Sequence, residues 1–532
     1  MKNFFKSIGS FLYNYRNNSA VHIYLFILFG FYPIVYTNRH FFELNECRYF
    51  VFLFLSLSLI IVTVYNAIAQ KNIIRIYNVK NSLRSFSILD YSMLVFCFVS
   101  IFSGFCSPFF PDTIGGASGR YGGVVTICIY TIIYFIISRG FCKKLANPLF
   151  IVFSISSSLV FLIGILNFFQ LDPLHFYIGV KQNEQAIFIS TIGNRDFFGS
   201  FLCLTLPIFM VWFINKKEMA FQIISFLAVS LGFMALYIDD CDSAYLGIIS
   251  VFLILPLFVW KTSRQMIKYW MMCLLFFLSC LLIHDVNVLL CPNTRWTLNG
   301  ISKLLSNNLF VLCSILCIII LLGVLVLLKI SLKFHLKNGY KKLKIIWGMF
   351  LLIITLFFVV FLIYMNVASV SDPLESLAPY FCFSTQWGSG RGAVWIALLL
   401  AFCRFPFFQK LFGSGPDTIY QVLAQYFPEQ LKDGSLLCFD AAHNEYLQYL
   451  VTLGVIGFIA YLTVLIYCLY KGFQYARSDS LILAVTLILF SYAIQGFFNI
   501  SMITTTPYFF TFIGILSSLL RGKKGDVFVR FS

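Results

Sequence analysis

The sequence predicts an all-α polytopic membrane protein of about fourteen transmembrane helices, with one long extracytoplasmic loop that contains an interfacial helix. Three observations predict it. Of 532 residues, 60% are hydrophobic and only 11% charged, with a mean hydropathy of +0.88, whereas an ordinary soluble domain carries about 25% charged residues. The apolar residues fall in runs of about twenty, the length that crosses a bilayer. The joints between runs alternate between basic and acidic, as the positive-inside rule requires. The 64 phenylalanines suit lipid-facing surfaces. The formal net charge of +17 does not indicate a nucleic-acid partner, because the cations sit in short clusters between spans.

In order, the runs cover about 20–37, 49–69, 88–106, 122–138, 148–170, 196–214, 220–238, 243–260, 269–284, 309–330, 345–367, 445–470, 480–497 and 504–520. With the N-terminus inside, the cytoplasmic joints hold Lys71, Arg75, Lys80 and Arg84, then Arg139, Lys143 and Lys144, then Lys216 and Lys217. They continue with Lys261, Arg264 and Lys268, the group from Lys329 to Lys344, Lys471 with Arg477, and the tail Arg521, Lys523 and Lys524. The opposite joints collect Glu43, Glu46, Asp112, Asp172, Glu184, Asp239, Asp240, Asp242, Asp285, Asp372 and Glu375. About 27 of the 38 basic residues but only about four of the 21 acids fall inside. Both termini are therefore expected in the cytoplasm, and no cleaved signal peptide is expected.

The regular pattern stops between Asp372 and Tyr449, a gap of more than seventy residues that far exceeds an ordinary helix connection. The chain divides accordingly into a helical scaffold of about eleven spans (1–367), a long extracytoplasmic catalytic loop (368–443), and C-terminal helices with a basic tail (444–532). Ala393–Cys403 is apolar but too short to cross before Arg404 and Pro406, so it is read as interfacial or re-entrant. The sixteen cysteines are scattered without CxxC or metal spacing; Cys382 and Cys438 share the loop and could pair in an oxidising compartment.

The loop concentrates residue types that catalysis needs: a fixed cation at Arg391, glycine turns, and the imidazole of His443 beside the Glu445 carboxylate. Three arginines, Arg120, Arg195 and Arg391, oppose the acidic trend of the outer joints. Arginine clamps two phosphate oxygens at once; the alternative is interfacial snorkelling. Asn194 precedes Arg195, Trp395 lies one turn beyond Arg391, and Asn444 with Gln448 follows His443 on one helix face. Gly413-Ser-Gly-Pro416 lacks the lysine of a nucleotide loop; it is a tight turn, or Gly413 and Gly415 present turn amides to a phosphate. Asp239, Asp240 and Asp242 either hold a cation or merely mark the outer face, and no metal is assigned. Gln495 and Asn499 either glue helices together or line a cavity.

Gly390-Arg391-xxx-Trp395, Gly413-x-Gly-Pro416 and His443-Asn-x-Tyr-Leu447 with Gly454-xx-Gly457 resemble, in order and spacing, the O-antigen ligase and polymerase superfamily. Asn194-Arg195-Asp196-Phe-Phe-Gly199 resembles its upstream Asn-Arg element, and Gly119-Arg120-xx-Gly123 its first outer loop. The resemblance implies a GT-C-like glycosyltransferase of the bacterial cytoplasmic membrane, moving a glycan from undecaprenyl diphosphate to a glycan or lipid-linked acceptor. It implies no metal, nucleotide or other cofactor. Arg391 with Arg195 or Arg120 would hold the diphosphate, and His443 would act on the acceptor hydroxyl or the phosphate. A chain-length regulator or flippase would be a partner alongside membrane lipids. One departure is Ala244 after Ser243, where members often carry arginine. The rival functions are a lipid-linked oligosaccharide flippase, whose polar or broken mid-membrane helices are not evident here, and a protein O-oligosaccharyltransferase.

Overall fold

A computed structural model describes residues 19–37, 41, 43–69, 86–182, 184–290, 298–331, 339–367, 378–432, 434, 436 and 439–523. Each of the fourteen predicted runs coincides with a helix. The first eleven are α1 (Ser19–Gly30), α2 (Leu44–Ala69), α3 (Ile88–Phe105), α4 (Val124–Gly140), α5 (Ala146–Phe168), α6 (Arg195–Asn215), α7 (Met219–Asp239), α8 (Asp242–Ile254), α9 (Ser263–Leu290), α10 (Asn308–Ser331) and α11 (Gly339–Val367). The loop contributes α12 (Arg391–Arg404), α13 (Phe407–Phe412) and α14 (Ile419–Tyr426), and the chain closes with α15 (Glu445–Ala476), α16 (Ser480–Gln495) and α17 (Thr506–Arg521). Among the described residues ten helices are long and apolar enough to cross a membrane, and α1, α4 and α16 are shorter apolar helices. The 16-residue α17 is buried along almost its whole length. This is a multi-pass membrane protein.

Burial ranks the helices. α6 is the axis of the bundle, with 94% of its most apolar window buried, and it packs against α7, α8 and α16. Gly232 lets α7 close on α6, since a methyl group there would meet Leu206 Cδ2 at 2.3 Å. α11 lies at the margin and has no buried residue in its apolar window, the pattern of a helix that faces lipid.

The ion pairs among the described residues gather at two ends of the bundle. Asp90, Arg139 and Arg521 meet at one end, as do Lys143, Lys523 and Asp479. All these groups belong to predicted inner joints except Asp90, which lies in the first turn of α3. Arg120, Asp417 and Asp440 meet at the other end, with Arg195–Asp240 and Arg391–Asp196. Several charges used in the orientation argument, including Lys71, Arg75, Lys80, Arg84, Asp372, Glu375 and Lys524, lie outside the described residues. So does Cys438, the candidate partner of Cys382.

The loop builds a small core of its own. Val394, Ala397, Leu398 and Ala401 of α12 pack with Ile419, Val422 and Leu423 of α14 and Val451 of α15. A second finding is a break in α15, which the sequence reading treats as continuous. Gly454 has φ 66° and ψ −174°, a conformation open to glycine alone. The break exposes two carbonyls, and the turn after α13 fills it: Ser414 N donates to Val451 O at 3.1 Å and Gly415 N to Thr452 O at 2.9 Å.

Candidate active site at the outer-joint end

The site starts where a two-residue hairpin, Phe188 paired with Asn194, delivers the chain to α6. Asn194 caps that helix, its Oδ1 accepting Asp196 N at 2.8 Å, so Arg195 and Asp196 occupy the first turn. The Arg195 guanidinium turns toward the end of α7, with Nη1 3.4 Å from Asp239 O and 3.8 Å from the Asp240 carboxylate. Asp240 also accepts Asn299 N at 3.0 Å, and Asp242 accepts Ile301 N at 2.9 Å. Burial pushes the Asp240 carboxyl up, against the opposing pull of the Asn299 amide and Arg195. These acids brace the 299–301 turn and balance Arg195; no metal-like group of His, Cys, Asp and Glu occurs among the described residues.

Asp196 faces the loop. Arg391, the first residue of α12, reaches it with Nη2 at 3.4 Å from Oδ2, and both side chains remain about one-quarter exposed. One turn along α12, Trp395 Nε1 donates to Ala442 O at 2.9 Å, packed between Trp387, Phe497 and Phe498. One face of α12 therefore positions the cation and also clamps the segment that carries His443.

His443 stands at the turn into α15 with φ 46°, a conformation uncommon outside glycine and characteristic of sites held by their surroundings. Gln448 Oε1 accepts Ala442 N at 2.9 Å on one side, and Asn444 Oδ1 caps α15 through Tyr446 N and Leu447 N on the other. The imidazole meets Phe439 edge-on at 5.7 Å, and its Nδ1 is buried with no hydrogen-bond partner. Burial pushes the ring's pKa below its ordinary 6.5 and Arg391 adds to that, while Asp196 and Asp440 partly oppose them. His443 is thus a neutral imidazole at neutral pH, able to accept a proton.

Glu445 points elsewhere. It is 1% exposed, sits beside Gly496, where a methyl group would meet its Oε2 at 2.9 Å, and faces Tyr449, Tyr461 and Tyr492 inside the bundle. Arg391, Asp196, Asp440 and Arg120 are the charges that act on His443; Glu445 is not among them.

Arg120 interlocks two motifs that are far apart in sequence. Its Nε lies 2.8 Å from Asp417 Oδ1 and its Nη1 2.8 Å from Asp440 Oδ1. Asp417 Oδ2 accepts the backbone amides of Ala117 and Gly122 at 2.7 and 3.2 Å, so the joint between α3 and α4 wraps the carboxylate that follows Gly413-Ser-Gly-Pro416. Burial pushes the Asp417 carboxyl up, against Arg120 and these amides.

The structure gives Gly413 and Gly415 a different task from phosphate binding. The turn amides at Ser414 and Gly415 are engaged by the opened carbonyls of α15, and a methyl group on Gly413 would lie 2.2 Å from Thr452 O. The tight-turn reading is correct, and these glycines permit the close approach. Gln495 is buried and its Nε2 lies 3.4 Å from Ser243 Oγ, a contact between α16 and α8. Ala244 is fully buried, and a methyl on Gly199 would come within 2.9 Å of its Cβ, so this bundle has no room for an arginine at 244.

Arg391, His443 and Arg120 are therefore brought together, with Trp395, Asn444 and Asn194 as their supports. Sequence reasoning missed the acids Asp196, Asp417 and Asp440. It also missed Arg48, a fully buried cation whose Nη2 donates to Pro33 O and Thr191 O at 3.0 and 2.8 Å. Asp417 had a signal, because it directly follows Gly-Pro in the turn. Arg48 had none, because its acceptors are backbone carbonyls.

Residues 303–462 match the family model described as O-antigen ligase. No curated protein matches the chain with significance.

Proposed function

We propose, from the match of residues 303–462 to the O-antigen ligase family model, that the protein is a membrane glycosyltransferase that moves a glycan from a polyprenyl-diphosphate carrier, undecaprenyl diphosphate, to a sugar hydroxyl. The reaction takes place on the outer side of the bacterial cytoplasmic membrane, with both chain termini inside. The carrying observation is a partly exposed Arg391 close enough to act on the part-buried His443 imidazole, whose Nδ1 is buried without a hydrogen-bond partner.

The acceptor oxygen attacks the anomeric carbon and its proton passes to the His443 ring. The bond from that carbon to the diphosphate oxygen breaks, and the electron pair leaves with the diphosphate. Arg391 stabilises the charge that develops there, a contribution that is largest in a water-poor site. Asp196 holds Arg391 in the absence of substrate, and Trp395 holds the His443 turn. Arg195, one residue before Asp196, adds positive potential, and a chain-length regulator or flippase would act on the same lipid-linked substrates.

The test is reconstitution of the purified protein with a fluorescent undecaprenyl-diphosphate oligosaccharide, without nucleotide. Elongated or transferred glycan is expected. The reducing end of the product separates polymerase from ligase, and transfer to a polypeptide would mark a protein transferase. An untouched glycan on a lipid that crosses the bilayer would overturn the reading in favour of a flippase.

A further inference from the structure

The joint from α16 to α17 touches each segment that carries the site. Gly496 O accepts Glu445 N at 2.8 Å, which fixes the start of α15 two residues after His443. Phe497 and Phe498 pack on Trp395 of α12, with ring centroids 5.9 and 6.4 Å apart. Asn499 Nδ2 donates to Asp196 O at 2.6 Å, in the first turn of α6. Three helices that supply the site therefore meet on four consecutive residues. We propose that Asn499 is a positioning residue for the transfer reaction, holding the first turn of α6 so that Asp196 stands against Arg391 beside His443. The proposal rests on the transferase reading and adds to it a residue that acts through Asp196.

The bonding of Asn499 is the argument. Its side chain is fully buried, and both of its polar atoms are engaged. Nδ2 reaches Asp196 O and, at 3.3 Å, Ser200 Oγ, while Oδ1 accepts Ile500 N at 2.8 Å. Ser200 Oγ itself donates to Asp196 O at 3.0 Å, so an amide and a hydroxyl converge on one carbonyl. The next residue, Ile500, shares a cluster with Ala441 and Phe197, which gathers the chain beside His443 and beside Asp196 onto the same joint. The carboxylate of Asp196 is held far less firmly. It is about one-quarter exposed and lies 3.4 Å from Arg391, and a part-exposed ion pair does little to fix its own members. A buried hydrogen bond that water cannot replace does more.

A buried asparagine between helices also serves as plain interhelical glue, and the two roles differ in what is lost with the amide. Four charged groups act on His443: Arg391 from α12, Asp196 from α6, Asp440 from its own segment and Arg120 from the joint between α3 and α4. Asp196 favours the protonated ring, so a first turn of α6 that slips withdraws that support. Glue alone would leave the ring's proton affinity where it is.

The full-length protein is reconstituted with a lipid-diphosphate-linked oligosaccharide donor and an oligosaccharide acceptor. Two readouts are taken: the pH dependence of kcat/KM, and the titration of His443 by NMR of histidine-labelled protein, which has six histidines. Asn499→Leu removes the donor at nearly the same volume. We expect its plateau kcat/KM to fall about 10- to 100-fold, and the acid limb and the His443 titration to move down together, the direction expected for Asp196→Asn. In the Asp196→Asn background the same substitution should move neither further, because the two act through one contact. Ser200→Ala is the second variant. It removes the hydroxyl between Asn499 Nδ2 and Asp196 O and should shift both readouts the same way by less, so a Leu variant that fails to fold leaves the test standing. Unmoved readouts in folded Asn499→Leu, or in Ser200→Ala where the Leu variant does not fold, would overturn the inference and leave Asn499 as glue. An equal shift in the Asp196→Asn background would also overturn it, because Asn499 would then act by another route. A wild-type protein that transfers nothing would remove the transferase reading, while the His443 titration would still decide how Asn499 acts.

Discussion

The acid at one end of the bundle and the working groups at the other are held in different ways. At the inner-joint end, Asp90 is fully buried and saturated: it accepts Ser87 N and Oγ and the Tyr134 hydroxyl, and it pairs with Arg139 and Arg521. One acid there ties α3, α4 and α17 together. At the outer-joint end, Arg391 has one long contact, Arg120 keeps Nη2 without a partner, and His443 Nδ1 has none. A saturated acid maintains a fold, whereas groups left with open hydrogen-bonding capacity are available to a substrate. Asp417 belongs to both kinds, since it closes the outer loop while holding Arg120.

Breaking each end should give different signatures. His443→Ala or Arg391→Ala should lower transfer by about 10²- to 10⁴-fold, the range for lost acid–base or charge-stabilising groups, with little change in thermal unfolding. Asp90→Ala should do the reverse. It strands Arg139 and Arg521 beside a buried Tyr134 and should cost ~3–5 kcal/mol of stability, while the surviving folded molecules keep their rate. Asp417→Ala should lower both readouts. Gly454→Ala should cost about 1–3 kcal/mol from the strained backbone alone. It should cost more from the clash, since its methyl would fall 2.4 Å from the Leu411 carbonyl carbon. Trp395→Phe removes only the hydrogen bond to Ala442 O and should be the mildest, near ~1 kcal/mol, read as a small loss of rate.

The contrast also explains what the sequence could reveal. Span-length hydrophobicity is a strong local signal, so all fourteen helices are visible in it. Even the short α12 is recognisable, because Arg404 and Pro406 end it. The break at Gly454 is invisible to hydropathy, because apolar residues continue through it and only the inserted turn fills it. Arg391 and His443 stand out as polar residues at helix starts, Arg391 with glycines on both sides. Their partners do not: Asp196, Asp417 and Asp440 are ordinary acids until three distant segments meet. Glu445 shows the opposite error. Adjacency to His443 suggested shared chemistry, but successive residues at a helix start point in different directions, and this carboxylate faces the tyrosines of the bundle.

The most direct test of the account is the pH dependence of kcat/KM in the reconstituted enzyme. A neutral His443 must take the proton, so rate falls as pH drops through its pKa. Burial and Arg391 disfavour the charged ring, so that acid limb should lie below the ordinary value of 6.5. Arg391→Gln should move the limb up and Asp196→Asn should move it down, in the residual activity of each. A limb at or above 6.5, or one that the two substitutions do not move in opposite directions, would contradict the assignment of His443 as the base beside Arg391.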